Sequence, residues 1–104
     1  MVERALSKAA PEYPFLRCVT TAFDNSARRK EDATIIVNST PARYQEWLEN
    51  VLRRTRDCNR PEHQIVFLNA WNEWAEGNHL EPDAKFGRAY LEATKASMSA
   101  MSQA

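Results

Sequence analysis

At 104 residues and 12.0 kDa the chain holds one domain at most, and its 14 basic side chains balance 14 acidic ones. Ordinary globular composition, 43% hydrophobic and 27% charged, excludes a disordered chain, while neutrality excludes the basic footprint of a nucleic-acid binder. No run reaches the ~18–20 apolar residues of a membrane span, and MVERALSKAAPEYP lacks the apolar core of a secretory signal.

Residues 1–13, bounded by Pro11 and Pro14, read as a poorly ordered lead-in or helix stub. From Phe15 to Phe23 the run FLRCVTTAF is rich in β-branched and aromatic residues and predicts a strand, ended by the turn formers Asp24-Asn25-Ser26. Cys18, inside that run, reads as a small buried hydrophobe. The charged stretch ARRKED reads as a solvated loop, with phosphate binding by Arg28-Arg29-Lys30 the minor alternative. Ile35-Ile36-Val37 is too short to assign.

Thr40-Pro41 opens a helix with a hydroxyl cap and a proline at the first helical position. Tyr44, Trp47, Leu48, Val51 and Leu52 then follow the i, i+3, i+4, i+7, i+8 spacing of one buried stripe, and Asn59-Arg60-Pro61 stops the helix. The unbroken apolar run from Gln64 to Ala70 suits a parallel strand covered on both faces. A last helix is expected from about Asp83 to Met101, with Phe86, Tyr90, Leu91, Thr94, Met98 and Met101 inward, leaving 102–104 as a tail. Strand, helix, strand, helix is a βαβα unit of the α/β class, its strands parallel.

Chemistry concentrates in NAWNEWAEGNHLEPD, residues 69–83. The stretch begins where the second strand ends, and ligands bind at the carboxyl ends of parallel strands. Asp24 and Asn25 end the first strand at the same pole, so both groups should face one crevice. If Glu73 to Glu76 forms a helical turn, the two carboxylates lie within roughly 5–6 Å on one side. That approaches the ~5–5.5 Å of a retaining glycosidase pair, where mutual repulsion splits the two acidities. Indole faces suit the C–H faces of sugars, and Asn amides suit hydroxyls. Against this, Trp71 at a strand end is more often core, and either glutamate alone is more often a solvated loop charge. The combination makes the two readings equal contenders. Trp47 reads as core. His63 and His79 lack ligand spacing, so neither a metal nor a cofactor is expected, though His79 can reach the crevice. Cys18 and Cys58 lie in no CxxC, so reduced thiols and a cytoplasmic location are expected.

NAWNEWAEG-x-x-LEPD followed by FGRAYLEA, with FDNSARR, STPARYQEWL and IVFLNAW upstream, resembles the carboxyl-terminal end of the WbsX-like family. Its bacterial members are described as glycosyltransferases or as carrying a glycoside hydrolase family 99-like domain. The resemblance covers roughly residues 14–95 and implies the last two units of a (β/α)8 barrel, a fold that needs roughly 200 residues or more. It implies that Glu73 is the base acting on a substrate 2-hydroxyl, through a 1,2-anhydro sugar, and that Glu76 is the general acid/base at the leaving oxygen. Asn72, Trp74 and Glu81 match the motif and would shape subsites, joined in the crevice by Asp24, Asn25, Asn69, Trp71 and His79. The family pattern has a proline where FDNSARR has Ala27. The activity so implied is cleavage or transfer of glycosidic linkages in surface polysaccharide or lipopolysaccharide O-antigen. Two units alone would lack the walls that position a sugar, so turnover by residues 14–101 by themselves is not expected. The alternative is a non-catalytic sugar-binding or self-associating piece. The expected partners are a carbohydrate and either the remainder of the barrel or a second copy, with no nucleic acid and no membrane span.

Overall fold

The computed structural model describes residues 11–29 and 31–102, so residues 1–10 of the lead-in expected over 1–13, Lys30 and the last two tail residues lie outside the described residues. Strand β1 (Arg17–Thr20) leads through a loop to helix α1 (Pro41–Cys58), and strand β2 (Val66–Asn69) comes after a single 3-10 turn over Pro61–His63. Two-residue strands β3 (Asn72–Glu73) and β4 (Asn78–His79) flank a second 3-10 turn, Trp74–Glu76, before helix α2 (Ala89–Ser102). β1 and β2 pair in parallel, Arg17 with Val66 through Thr20 with Asn69, while β3 and β4 form a small antiparallel ladder.

Both long strands are shorter than the apolar runs that encode them, and the alternation of their side chains divides the pair into a covered and an open face. Val19 is fully buried, and Val66 and Leu68 pack against the same core, so this face of the pair meets the helices. Cys18, Phe67 and Asn69 belong to the other face and are exposed, Phe67 by 54%. The expectation that β2 is covered on both faces is therefore corrected: α1 and α2 cover one face only. Cys18 is likewise exposed rather than buried, because it pairs with Phe67 on the open face. The radius of gyration is 14.6 Å, against the roughly 13 Å of a compact chain this long.

The helical layer follows its sequence closely. Thr40 caps α1 by accepting the Arg43 N–H at 3.2 Å, and the Asn59 N–H closes the other end on the Thr55 carbonyl at 2.9 Å. Tyr44, Leu48, Val51 and Thr55 are buried, with Trp47 and Leu52 at the margin of the core. Against them α2 presents Tyr90, Ala93 and Ser97. The small residues let the helices approach, and the buried Ser97 hydroxyl is satisfied by the Ala93 carbonyl at 2.9 Å. Tyr44 and Tyr90 meet edge to face, centroids 5.4 Å apart, and the Tyr44 hydroxyl bonds Thr94 at 2.8 Å.

Two expectations for the last helix are corrected. Met98 is 53% exposed, because the inward stripe runs through Ala93 and Ser97. The helix also starts at Ala89 rather than Asp83, since residues 83–87 close a turn of their own. There the Asp83 carboxylate accepts the Phe86 N–H, the Gly87 N–H returns to the Asp83 carbonyl at 2.9 Å, and Gly87 supplies the positive φ of 57°.

Candidate functional site

The Asn69–Asp83 loop is built from backbone hydrogen bonds more than from burial. The Trp71 carbonyl accepts the Leu80 and Glu81 N–H groups at 3.0 and 3.1 Å, and the β3–β4 ladder pairs Asn72 with His79 and Glu73 with Asn78. Inside this frame the Gly77 N–H closes the Trp74–Glu76 turn on the Trp74 carbonyl at 3.1 Å. Gly77 itself is left-handed, φ 59° and ψ 33°, which is why the turn ends where the sequence has a glycine.

This frame corrects the expected helical turn linking the two glutamates. Glu73 is committed to the β3 ladder and has φ −92° and ψ 71°, outside the helical region, so only residues 74–76 turn. The two carboxylates are thus presented by different elements, Glu73 from a strand and Glu76 from a 3-10 turn. Glu73 is exposed, whereas the Glu76 side chain retains 29% exposure.

The loop after β1 reaches the same place. The Asp24 N–H donates to the Glu76 carbonyl at 2.7 Å, and the Asp24 side chain lies against the Gly77 backbone. Asp24 and Glu76 are therefore adjacent, as the shared pole of two parallel strands requires. The Asp24 carboxylate is turned to its own loop: the Ser26 side chain and the Ser26 N–H, at 2.9 Å, hold its pKa below the usual carboxylate value. Asn25 has a structural task too, its side-chain oxygen accepting the Thr34 N–H at 2.7 Å. The Arg28 N–H donates to the Asn25 carbonyl at 3.0 Å, and that turn carries the Arg28 guanidinium to 3.6 Å from the Glu76 carboxylate. In sequence Arg28 reads as a solvated charge; its one usable signal is a cation two residues beyond the strand-ending turn.

Behind the turn, Asn78 is fully buried and its side-chain oxygen accepts the Thr21 hydroxyl at 3.2 Å, locking the two loops together. His79 is half-buried and stacks on Trp74, centroids 3.6 Å apart and planes 18° apart. Its Nδ1 lies 3.1 Å from the Glu81 carbonyl, and its Nε2 lies 3.7 Å from the Asp83 carboxylate. An open cleft of about 440 Å³ adjoins this pair, bordered by Thr21, Gly77, His79, Asp83, Phe86 and Tyr90. Neither glutamate of the motif lines it. Trp71 and Trp74 keep 54% and 49% of their surface exposed, Asn72 is exposed, and Asn69 lies on the open face of β2 beside Thr20 of β1. Glu81 is half-buried, tied through its N–H to Trp71. Among the described residues no three His, Cys, Asp or Glu side chains gather as a metal site, and no helix is long and apolar enough to cross a membrane.

The class so defined is an α/β chain with two parallel strands and an acidic, tryptophan-bearing loop at their carboxyl pole. The family described as Glycosyltransferase WbsX matches residues 1–94. Two curated proteins, each described as uncharacterized protein WxcX, are 44% identical to this chain over 85 residues. They come from Xanthomonas campestris pv. campestris, strains B100 and ATCC 33913. The match takes in 81% of this chain but 12% of either relative's length. No solved structure matches. The chain belongs to the WbsX glycosyltransferase family.

Proposed function

We propose that this chain carries the acid/base pair of a carbohydrate-active enzyme acting on glycosidic linkages of surface polysaccharide or O-antigen glycans. Residues 14–101 form, in this reading, the last two units of a (β/α)8 barrel. Membership of the WbsX family supports a sugar substrate. The open face of β1 and β2 supports the barrel, since six further strands would turn Phe67, Cys18 and Asn69 toward an interior. The observation that carries the reading is the 2.7 Å bond from the Asp24 N–H to the Glu76 carbonyl, which joins the strand-end loops into one acidic, indole-rimmed pole.

In the reaction so proposed, Glu73 takes the proton of the substrate 2-hydroxyl. That oxygen bonds to the anomeric carbon as the bond to the leaving oxygen breaks, and Glu76 gives its proton to the leaving group. Water or an acceptor hydroxyl then reopens the 1,2-anhydro sugar, Glu76 removing its proton and Glu73 returning the first. Asn69, Asn72 and Glu81 serve the sugar hydroxyls.

The test is Glu76→Gln in the protein at its natural length, assayed on aryl glycosides. A general acid contributes about 10²–10⁴-fold. The expected loss is of that size for a poor leaving group and much smaller for nitrophenolate, which departs without a proton. Equal retention on both substrates would remove Glu76 from the acid role.

A second reading, a sugar-binding piece that associates with its own copies, is favoured by one observation: the exposed Phe67 and the edges, unpaired among the described residues, of the two-stranded sheet. Sedimentation of the chain at rising concentration decides it. A constant monomer mass ends it.

A further inference from the structure

Trp74 holds an indole half-exposed on a short surface turn, an arrangement that ordinarily leaves a large side chain free to reorient. What fixes it is His79. The imidazole lies parallel to the indole at stacking distance, 3.6 Å between centroids and 18° between planes. The imidazole is itself held at its Nδ1 edge. A carbonyl oxygen only accepts, so Nδ1, at 3.1 Å from the Glu81 carbonyl, carries a hydrogen. The other edge faces the Asp83 carboxylate at 3.7 Å, and Asp83 is pinned by the Phe86 N–H. With 14% of its side chain exposed, His79 has little freedom to leave. Its backbone pairs with Asn72 in the β3–β4 ladder, so both rings hang from one two-strand frame.

From this we infer that His79 is a positioning residue: it backs the Trp74 indole and fixes it as a platform for the apolar C–H face of a sugar ring. This rests on the carbohydrate reading above and specifies how one aromatic wall of that site is made. One indole face is spent on His79, and the surface left open is the part a pyranose can cover. The property that matters at position 79 is a flat aromatic ring, and Nδ1 serves only to anchor it.

The experiment compares His79→Ala with His79→Phe in the protein at its natural length, labelled with fluorotryptophan. The fluorine resonance of Trp74 is assigned by its absence in Trp74→Phe, and methyl glucoside, methyl mannoside and methyl galactoside are the titrants. The stack predicts that His79→Ala moves the Trp74 resonance toward its solvent-exposed position and weakens glycoside binding by about three- to tenfold, while His79→Phe keeps both near wild type. A His79→Ala protein with unchanged resonance and affinity overturns the inference. So does a folded His79→Phe protein that behaves like His79→Ala, since the ring would then not be the active feature. A wild-type protein that binds none of the glycosides overturns the carbohydrate reading and the platform together, which separates that failure from the other two.

Discussion

The helical layer and the acidic loop are held by opposite means. Between α1 and α2 the stabilising element is buried side-chain surface: Leu48, Val51, Tyr44, Tyr90 and Ala93 exclude water from one another and from Val19. In the loop, Glu73, Trp71 and Trp74 remain exposed, and order comes from the Trp71 carbonyl, the β3–β4 ladder, the αL Gly77 and the Asp24–Glu76 bond. Substitutions in the layer should therefore cost stability, whereas removing an exposed loop side chain, unlike the buried Asn78 and Leu80, should leave the fold intact and change chemistry.

The sharpest way to break that contrast pairs Leu48→Ala with Glu73→Gln. Leu48 is 1% exposed in the centre of the layer, and truncating such a residue costs about 2–5 kcal/mol. Glu73→Gln removes an exposed charge and should change stability by less than about 0.5 kcal/mol while lowering turnover. Urea titrations of both variants check this. A Glu73→Gln protein destabilised as much as Leu48→Ala would mean that the carboxylate holds the loop, and the division would fail.

Gly77→Ala attacks the loop through its backbone. A Cβ there would meet the Asp24 side chain at 3.7 Å, ordinary contact, so the cost arises from φ 59° alone. About 1–2 kcal/mol is expected for forcing an L-residue to be left-handed. The same change should loosen the Glu76 turn. A melt lowered to that extent, together with impaired turnover, would show that the turn is selected by its conformation; an unaffected melt would show that it yields without cost.

The two regions also differ in how far the sequence discloses them. The α1 stripe, the Thr40 cap and the Asn59 stop are local signals, and each is present in the fold because helix periodicity and capping act within a few residues. The parallel pairing of β1 with β2 is legible in the order of elements. What the sequence conceals depends on partners distant along the chain. Cys18 reads as buried because an apolar run does not say which face is covered, and α1 and α2 cover only one. Glu73 and Glu76 read as one helical turn because their spacing allows it, while the β ladder to Asn78 claims Glu73 first. Arg28 and His79 show the same limit: a charge in a polar loop and a lone histidine acquire roles only once the chain brings Glu76 and Trp74 beside them.

The smallest effect lies at high pH, where the layer should fail before the loop. Burial raises the Tyr44 pKa above its ordinary value of 10.0, partly offset by the Thr94 hydrogen bond. Burial, with the nearby Asp83 charge, does the same for Tyr90. Both rings are held neutral in the fold, so in that alkaline window the unfolded chain has released protons that the native chain retains. The stability they contribute is complete below pH 10.0 and is lost as pH rises through the higher native value. Tyr44→Phe should cost about 0.5–1.5 kcal/mol at neutral pH, the worth of its 2.8 Å bond to Thr94, and should flatten the alkaline decline. Urea titrations at increasing pH read both effects. A variant whose alkaline decline matches wild type would take Tyr44 out of the titration and leave the decline to Tyr90 or to a group outside the helix interface.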